Sequence, residues 1–315
     1  PDDSKGALIY DTYILEEQRC ESNEGMNLLK IEVEVYRNHV VIDMGTLTDD
    51  RITIGTTALD KDTESHLSKP AEKITIIDTV EYEGLKKGPS YKLLGTLMDK
   101  ETGKPIEVDG KPVTAETTFK PKKTSGSTEV KFTFDATSLR GKTIVVFEEL
   151  YQDDLKLAVH TDIEEEDQTI YFPEIKTTAK DGADDDKEVL SSKEATVIDT
   201  VTYKNLIPKA KYKLVGILMD KETGKAILVN EKTVTAETEF SPKESDGSVD
   251  VTFTFDASEL NGHDVVVFEK LFLLDGDVET EITSHEDIKD EGQTVKLTET
   301  PKEPPKTTPP VKTGD

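Results

Sequence analysis

Apolar and polar side chains alternate along "RITIGTTALD", so Ile52, Ile54, Thr56 and Ala58 share one side of an extended chain while Thr57 takes the other. "EIKTTAKD" repeats the pattern, with Thr177 on the face of Ile175 and Ala179. A period of two predicts strands, and the same texture continues downstream. Short runs rich in Val, Ile, Thr, Phe and Tyr are separated by Asp, Gly, Lys and Pro turn signals. The expected fold class is all-β.

The strands come in two sets. A shift of 121 residues lays Ala71–Leu150 over Ser192–Leu271 without a gap and with 45 identities in 80 positions. "YKLLGTLMDKETGK" thus overlies "YKLVGILMDKETGK", a tandem duplication. Each copy has the length and turn spacing of an Ig-like β-sandwich, and sandwiches in sequence predict an extended rod. The expected domains are residues 51–173 and 174–299. Residues 1–50 form a separate β-rich piece that does not overlay on the repeat. Residues 300–315, "TPKEPPKTTPPVKTGD", are too rich in Pro and Thr for helix or ladder and read as an extended linker.

Composition narrows the function classes. The 315 residues are 34% hydrophobic and 33% charged, with no Trp, which suits small sandwiches better than one large α/β core. A net charge of -27 with no basic stripe argues against nucleic acid as a partner. Cys20 is the single cysteine, so no intrachain disulfide is possible, and no Cys/His cluster suggests a metal or cofactor. The acidic runs "IEEED" and "DGADDDKE" lack EF-hand spacing and read as solvated surface.

Five polar residues recur at matching places: Thr56, Asp78, Glu148, His160 and Gln168, then Thr177, Asp199, Glu269, His285 and Gln293. The second copy has four extra residues between Glu and His, yet the spacing of eight from His to Gln survives, so these two move as one element. Parity places Asp78 with Ile76 and Val80, Glu148 with Ile144, Val146 and Leu150, Gln168 with Ile170 and Phe172, and Gln293 with Val295 and Leu297. Thr on the first strand and Gln on the last are expected to point into the core. Two carboxyls among apolar neighbours cannot both ionise comfortably and would share a proton, and a His supplies a base near neutral pH. A Thr hydroxyl attacks a carboxamide only with such a base, such an acid, exact placement and no water. The product would be a Thr–Gln ester, with ammonia lost.

At these residues the chain resembles the T-Q ester-bond domains, or VaFE repeats, of Gram-positive surface adhesins, with the signature present as "VVFEEL" and "VVFEKL". The resemblance implies esters from Thr56 to Gln168 and from Thr177 to Gln293, assisted by Asp78, Glu148 and His160 and by Asp199, Glu269 and His285. Residues 1–50 resemble the last part of a Cna protein B-type domain through Tyr13, Leu15 and Glu17, and no crosslink is assigned there. "PVKTGD" is similar to a sortase sorting signal but has Pro310 and Val311 where a hydrophobic residue and Pro belong.

The implied protein is a monomeric, extracellular, cell-wall-anchored stalk, not an enzyme. Its partners would be peptidoglycan, through a sortase, and a host ligand held by regions outside this sequence. An adhesin region recognising host matrix or glycans is the alternative. A hydrolase built on the His and carboxylates would need an exposed cleft, whereas parity buries the Thr and Gln.

Overall fold

In a computed structural model the described residues are 8–36 and 51–299, and they are almost entirely β-structure. The expected linker at 300–315, with "PVKTGD", and residues 37–50 lie outside the described residues. Backbone contacts divide the chain into two compact units. One is Pro1–His66 with Ala71–Ala136 and Thr143–Ile170; the other is Leu67–Pro70, Thr137–Lys142 and Tyr171–Asp315.

The first unit is a two-sheet sandwich. Strands Thr53–Asp60, Ile74–Glu83 and Gly126–Phe134 make a three-stranded sheet in that order. The second sheet runs Leu155–His160, Thr143–Gln152, Tyr91–Asp99, Thr114–Phe119, and Thr169–Tyr171 also pairs with Thr143–Gln152. Alternation decides what lies between them: Ile76, Val80, Leu93, Leu97, Phe132, Val146 and Leu150 are fully or nearly fully buried, while the intervening residues face solvent or the sandwich edge. A hairpin of Asp11–Glu16 on Lys30–Val35 precedes the sandwich. Tyr13 and Leu15 lie on its first strand, and Glu17, just past its end, accepts the Leu29 N–H at 3.1 Å and Asn23 Nδ2 at 2.9 Å.

The second unit repeats the plan. Glu174–Asp181, Ala195–Lys204 and Gly247–Phe255 form one sheet. Glu188–Leu190, Thr294–Thr298, Asp264–Asp275, Lys211–Asp220 and Thr235–Phe240 form the other, in that order. Val201, Tyr212, Leu214, Leu218, Phe253, Val267 and Leu271 belong to one buried cluster.

Two details of the second sheet shape the site. Thr294–Thr298 pairs with the beginning of Asp264–Asp275, with Val265 opposite Val295, while Val278–His285 pairs with the same strand from Glu269 onward. The chain between them must therefore leave the sheet and return, spanning a break at Val267 and Phe268. Each Gln accordingly sits in a turn just before the last strand, not on it: Gln168 ends the 3-10 turn Glu166–Gln168, and Gln293 precedes Thr294. The first and last strands belong to different sheets. They meet by packing and by single contacts such as Ala179 N–H on Gly292 O at 3.0 Å.

Candidate functional site

In the first unit all five expected residues converge inside the sandwich. Thr56 faces inward on the first strand, and Asp78 stands opposite Ala58 on the neighbouring strand. From the other sheet comes Glu148, whose cross-strand partners are Gly95 on one side and His160 on the other. His160 Nδ1 lies 3.3 Å from Thr56 Oγ1, within reach for the ring to accept the hydroxyl proton. The turn carrying Gln168 packs on the Thr53–Asp60 strand. Asp78, Glu148 and Gln168 are completely buried. Among the described residues neither polar atom of the Gln168 carboxamide has a hydrogen-bond partner, an arrangement costly enough to call for an explanation.

The second unit shows how the carboxamide is held. Val267, left free of a strand partner on that side by the break in the ladder, donates its N–H to the Gln293 main-chain carbonyl at 3.0 Å, and its own carbonyl accepts the carboxamide Nε2 of Gln293 at 2.5 Å. The His285 carbonyl accepts the same nitrogen at 3.2 Å. The amide nitrogen is thus satisfied while Oε1 is left without a donor. His285 sits opposite Glu269, its Nε2 lies 3.2 Å from Asp290 Oδ2, and its Nδ1 is buried and unpartnered, as is Thr177 Oγ1. A carboxylate on Nε2 fixes the tautomer with Nδ1 free as base, the nitrogen that faces the Thr in the first unit.

Burial pushes Asp78 up to about 7, with the neighbouring Glu148 and Thr56 pulling the other way. Burial likewise pushes Glu148 up to about 10, helped by the charge of Asp78 and by their hydrogen bond. Two bare carboxylates would have no donor between them, and the raised values of both are the direction expected of a pair that retains a proton. Asp199 is raised by burial to about 7, opposed by Thr177, Lys187 and Glu269. Glu269 is raised well above the usual range by burial and by Asp199. With its value near 10, Glu148 is a carboxylic acid at neutral pH, and Glu269 is shifted in the same direction, each in a site where the carboxamide oxygen lacks a donor among the described residues. A base beside a hydroxyl, an acid and a buried carboxamide are the parts of an acyl transfer.

Two kinds of residue here escaped the sequence reading. A Cβ on Gly95 would stand 2.3 Å from Glu148 Oε1 and 2.3 Å from Phe132 Cζ, and one on Gly216 would stand 2.3 Å from Glu269 Oε1 and 2.4 Å from Phe253 Cζ. These glycines make room for the Glu. The signal was the isolated Gly inside each "YKL-x-G" strand, which marks a close approach. Asp290 has no such signal, because the first unit carries Glu165 at that place.

Paired sandwiches, each closing on a Thr, a Gln, a His and two carboxyls, define a class of β domain equipped for an internal crosslink. The chain belongs to the family of T-Q ester bond containing domains, which matches residues 52–172 and again 173–297. No curated protein matches the chain. Among solved structures, a Mobiluncus mulieris adhesin described as containing intramolecular disulfide, isopeptide and ester bond cross-links is similar at 15% identity and TM-score 0.36, over 78% of this chain and 93% of that one. The C-terminal domain of the Streptococcus agalactiae AgI/II polypeptide BspA is similar at 12% identity and TM-score 0.35, over 74% and 100%. That of the Streptococcus pyogenes antigen I/II-family protein AspA is similar at 10% identity and TM-score 0.34, over 78% and 99%. These likenesses are distant, and the family assignment rests on the two sequence matches.

Proposed function

We propose that the chain is the self-crosslinked stalk of a bacterial surface adhesin, each sandwich closed by one Thr–Gln ester. The observation that carries this is the twofold convergence of Thr, His, Gln and two carboxyls, with the Gln and both carboxyls completely buried. Thr56 Oγ attacks Cδ of Gln168, and Thr177 that of Gln293. The hydroxyl proton passes to His160 or His285. The Asp78–Glu148 or Asp199–Glu269 pair donates a proton to the carboxamide oxygen as charge develops there and takes it back when the carbonyl re-forms. Collapse of the tetrahedral intermediate breaks the Cδ–Nε2 bond, the His returns its proton to the leaving nitrogen, and ammonia departs. Thr and Gln are consumed, so each unit reacts once and the protein is not a turnover enzyme.

The mechanical purpose follows from the topology. The first and last strands lie in different sheets with few main-chain bonds between them, and a pull on both would part the sandwich. A covalent link carries that load instead. With one cysteine, disulfides cannot do so. The reading places the protein outside the cell on a Gram-positive wall, joined to peptidoglycan by a sortase acting near Thr313 and Gly314, with host ligands bound elsewhere in a longer chain. Single-molecule pulling tests it. Intact chains should withhold the more than one hundred residues between each Thr and its Gln, and chains carrying Thr56→Ala and Thr177→Ala should release them. Full extension of the unsubstituted chain would refute the reading.

A further inference from the structure

The Gln-bearing loops, 161–168 and 286–293, agree at four of their eight positions, and the residue after Gln is a threonine in both. Thr169 is fully buried and Thr294 nearly so. Thr169 Oγ1 donates to the Glu165 carbonyl at 2.7 Å, and Thr294 Oγ1 donates to the Asp290 carbonyl at the same distance. The hydroxyls also accept lysine ammoniums from matching positions: Lys100 Nζ at 3.5 Å and Lys221 Nζ at 3.3 Å. The Thr294 N–H closes on Glu291 O at 3.3 Å, and the Thr169 N–H closes likewise on Glu166 O. Each turn is therefore cinched on both sides of its Gln by the following threonine.

Resting on the ester reading, we propose that Thr169 and Thr294 are positioning residues for the crosslink: their hydroxyls lock the turn that aims the Gln carboxamide at the attacking threonine. They touch neither reacting atom. A threonine chosen only to start the last strand would need no buried, doubly engaged hydroxyl, since valine serves a strand as well. Flanking contacts act with them. His66 Nδ1 lies 2.9 Å from Thr169 O, and Lys187 Nζ donates to Gly292 O at 2.6 Å, so the loop after the first strand holds the same turn from outside. The turn is the one part of the site not carried on a sheet, and a carboxamide swinging by an ångström loses the near-attack geometry.

The test is a time course of ammonia loss, read by intact mass on full chains sampled after cell-free synthesis. The second unit serves as internal control. Thr169→Val should slow crosslinking in the first unit by on the order of tenfold to a hundredfold while the second unit keeps its rate. Thr169→Ser, which keeps the hydroxyl, should restore it. Melting of Thr56→Ala should be nearly unchanged by adding Thr169→Val, since neither chain has the first ester. A wild-type rate in Thr169→Val overturns the proposal. So does an unfolded first unit in the Thr56→Ala/Thr169→Val chain, which would make the role merely structural. Absence of ammonia loss from both units of the unsubstituted chain would instead sink the ester reading itself.

Discussion

Replacing Gly95 by alanine adds one methyl group opposite Glu148. In an open strand the change is favourable by about 0.5 to 1 kcal/mol, because glycine gives up more freedom on folding. Here the new Cβ would lie 2.3 Å from both Glu148 Oε1 and Phe132 Cζ, and neither fully buried side chain has space to retreat. Overpacking of this kind costs about 1 to 3 kcal/mol and wins over the backbone gain. At roughly 4 °C per kcal/mol for a unit of this size, a net loss of about 0.5 to 2 kcal/mol should lower the melting of the first sandwich by about 2 to 8 °C. The chemistry should suffer more, since Glu148 can yield only by leaving Asp78, and crosslinking there should slow on the order of tenfold or beyond. Melting is best measured with Thr56→Ala and Thr177→Ala present, so that no ester masks the packing term, and the rate by ammonia loss in the otherwise unsubstituted chain. Gly55→Ala is the control, because its Cβ would meet nothing within 4 Å. Wild-type melting and wild-type crosslinking in Gly95→Ala would refute the argument.

Other outcomes follow from the same geometry. Thr56→Ala should keep the fold but lose about 4 to 5 kcal/mol of stability, the chain-entropy value for a closed loop of this length, and calorimetry showing no loss would count against a stabilising ester. His160→Ala should cut crosslinking in the first unit by about 10² to 10⁴, and an unchanged rate would exclude His160 as base. Asp290→Asn should slow the second unit alone; equal slowing of both units would show that Asp290 does not orient His285. The carboxyl pair also fixes a pH dependence. The folded pKa values of Asp78 and Glu148 are raised, so the stability tied to their protonated form is complete below the ordinary carboxylate range near 4 and is lost as pH climbs through about 7 and about 10. Urea titration of the Thr56→Ala/Thr177→Ala chain should show stability falling from about pH 4 to about pH 10, most steeply below about pH 7, and Glu148→Gln should flatten the slope. A rise over that window would contradict the assignment.

Alternation was enough to orient Thr56, Asp78 and Glu148, because each sits on a regular strand where parity fixes the face. The duplication did the rest, separating recurrent polar residues from incidental ones. Gln168 and Gln293 were found for a partly wrong reason. Their inward direction agrees with strand parity, yet they sit in turns set by two strands that share one side of a third, Thr143–Gln152 in the first unit and Asp264–Asp275 in the second, and a pairing of that kind leaves no trace in local pattern. The sequence likewise pointed Thr on the first strand and Gln on the last into one core but did not show that these strands lie in different sheets, a distinction set by long-range pairing. Gly95 was readable as a close approach, but its partner was not.

The central claim is most directly tested by weighing the intact, folded chain and then locating the missing mass by digestion. The account predicts a deficit of two ammonias, with Thr56 joined to Gln168 and Thr177 joined to Gln293. The deficit should drop to one in Thr56→Ala or Thr177→Ala and to none when both are present, and hydroxylamine should open each link once the chain is unfolded. A folded chain whose mass equals that of its sequence would contradict the account.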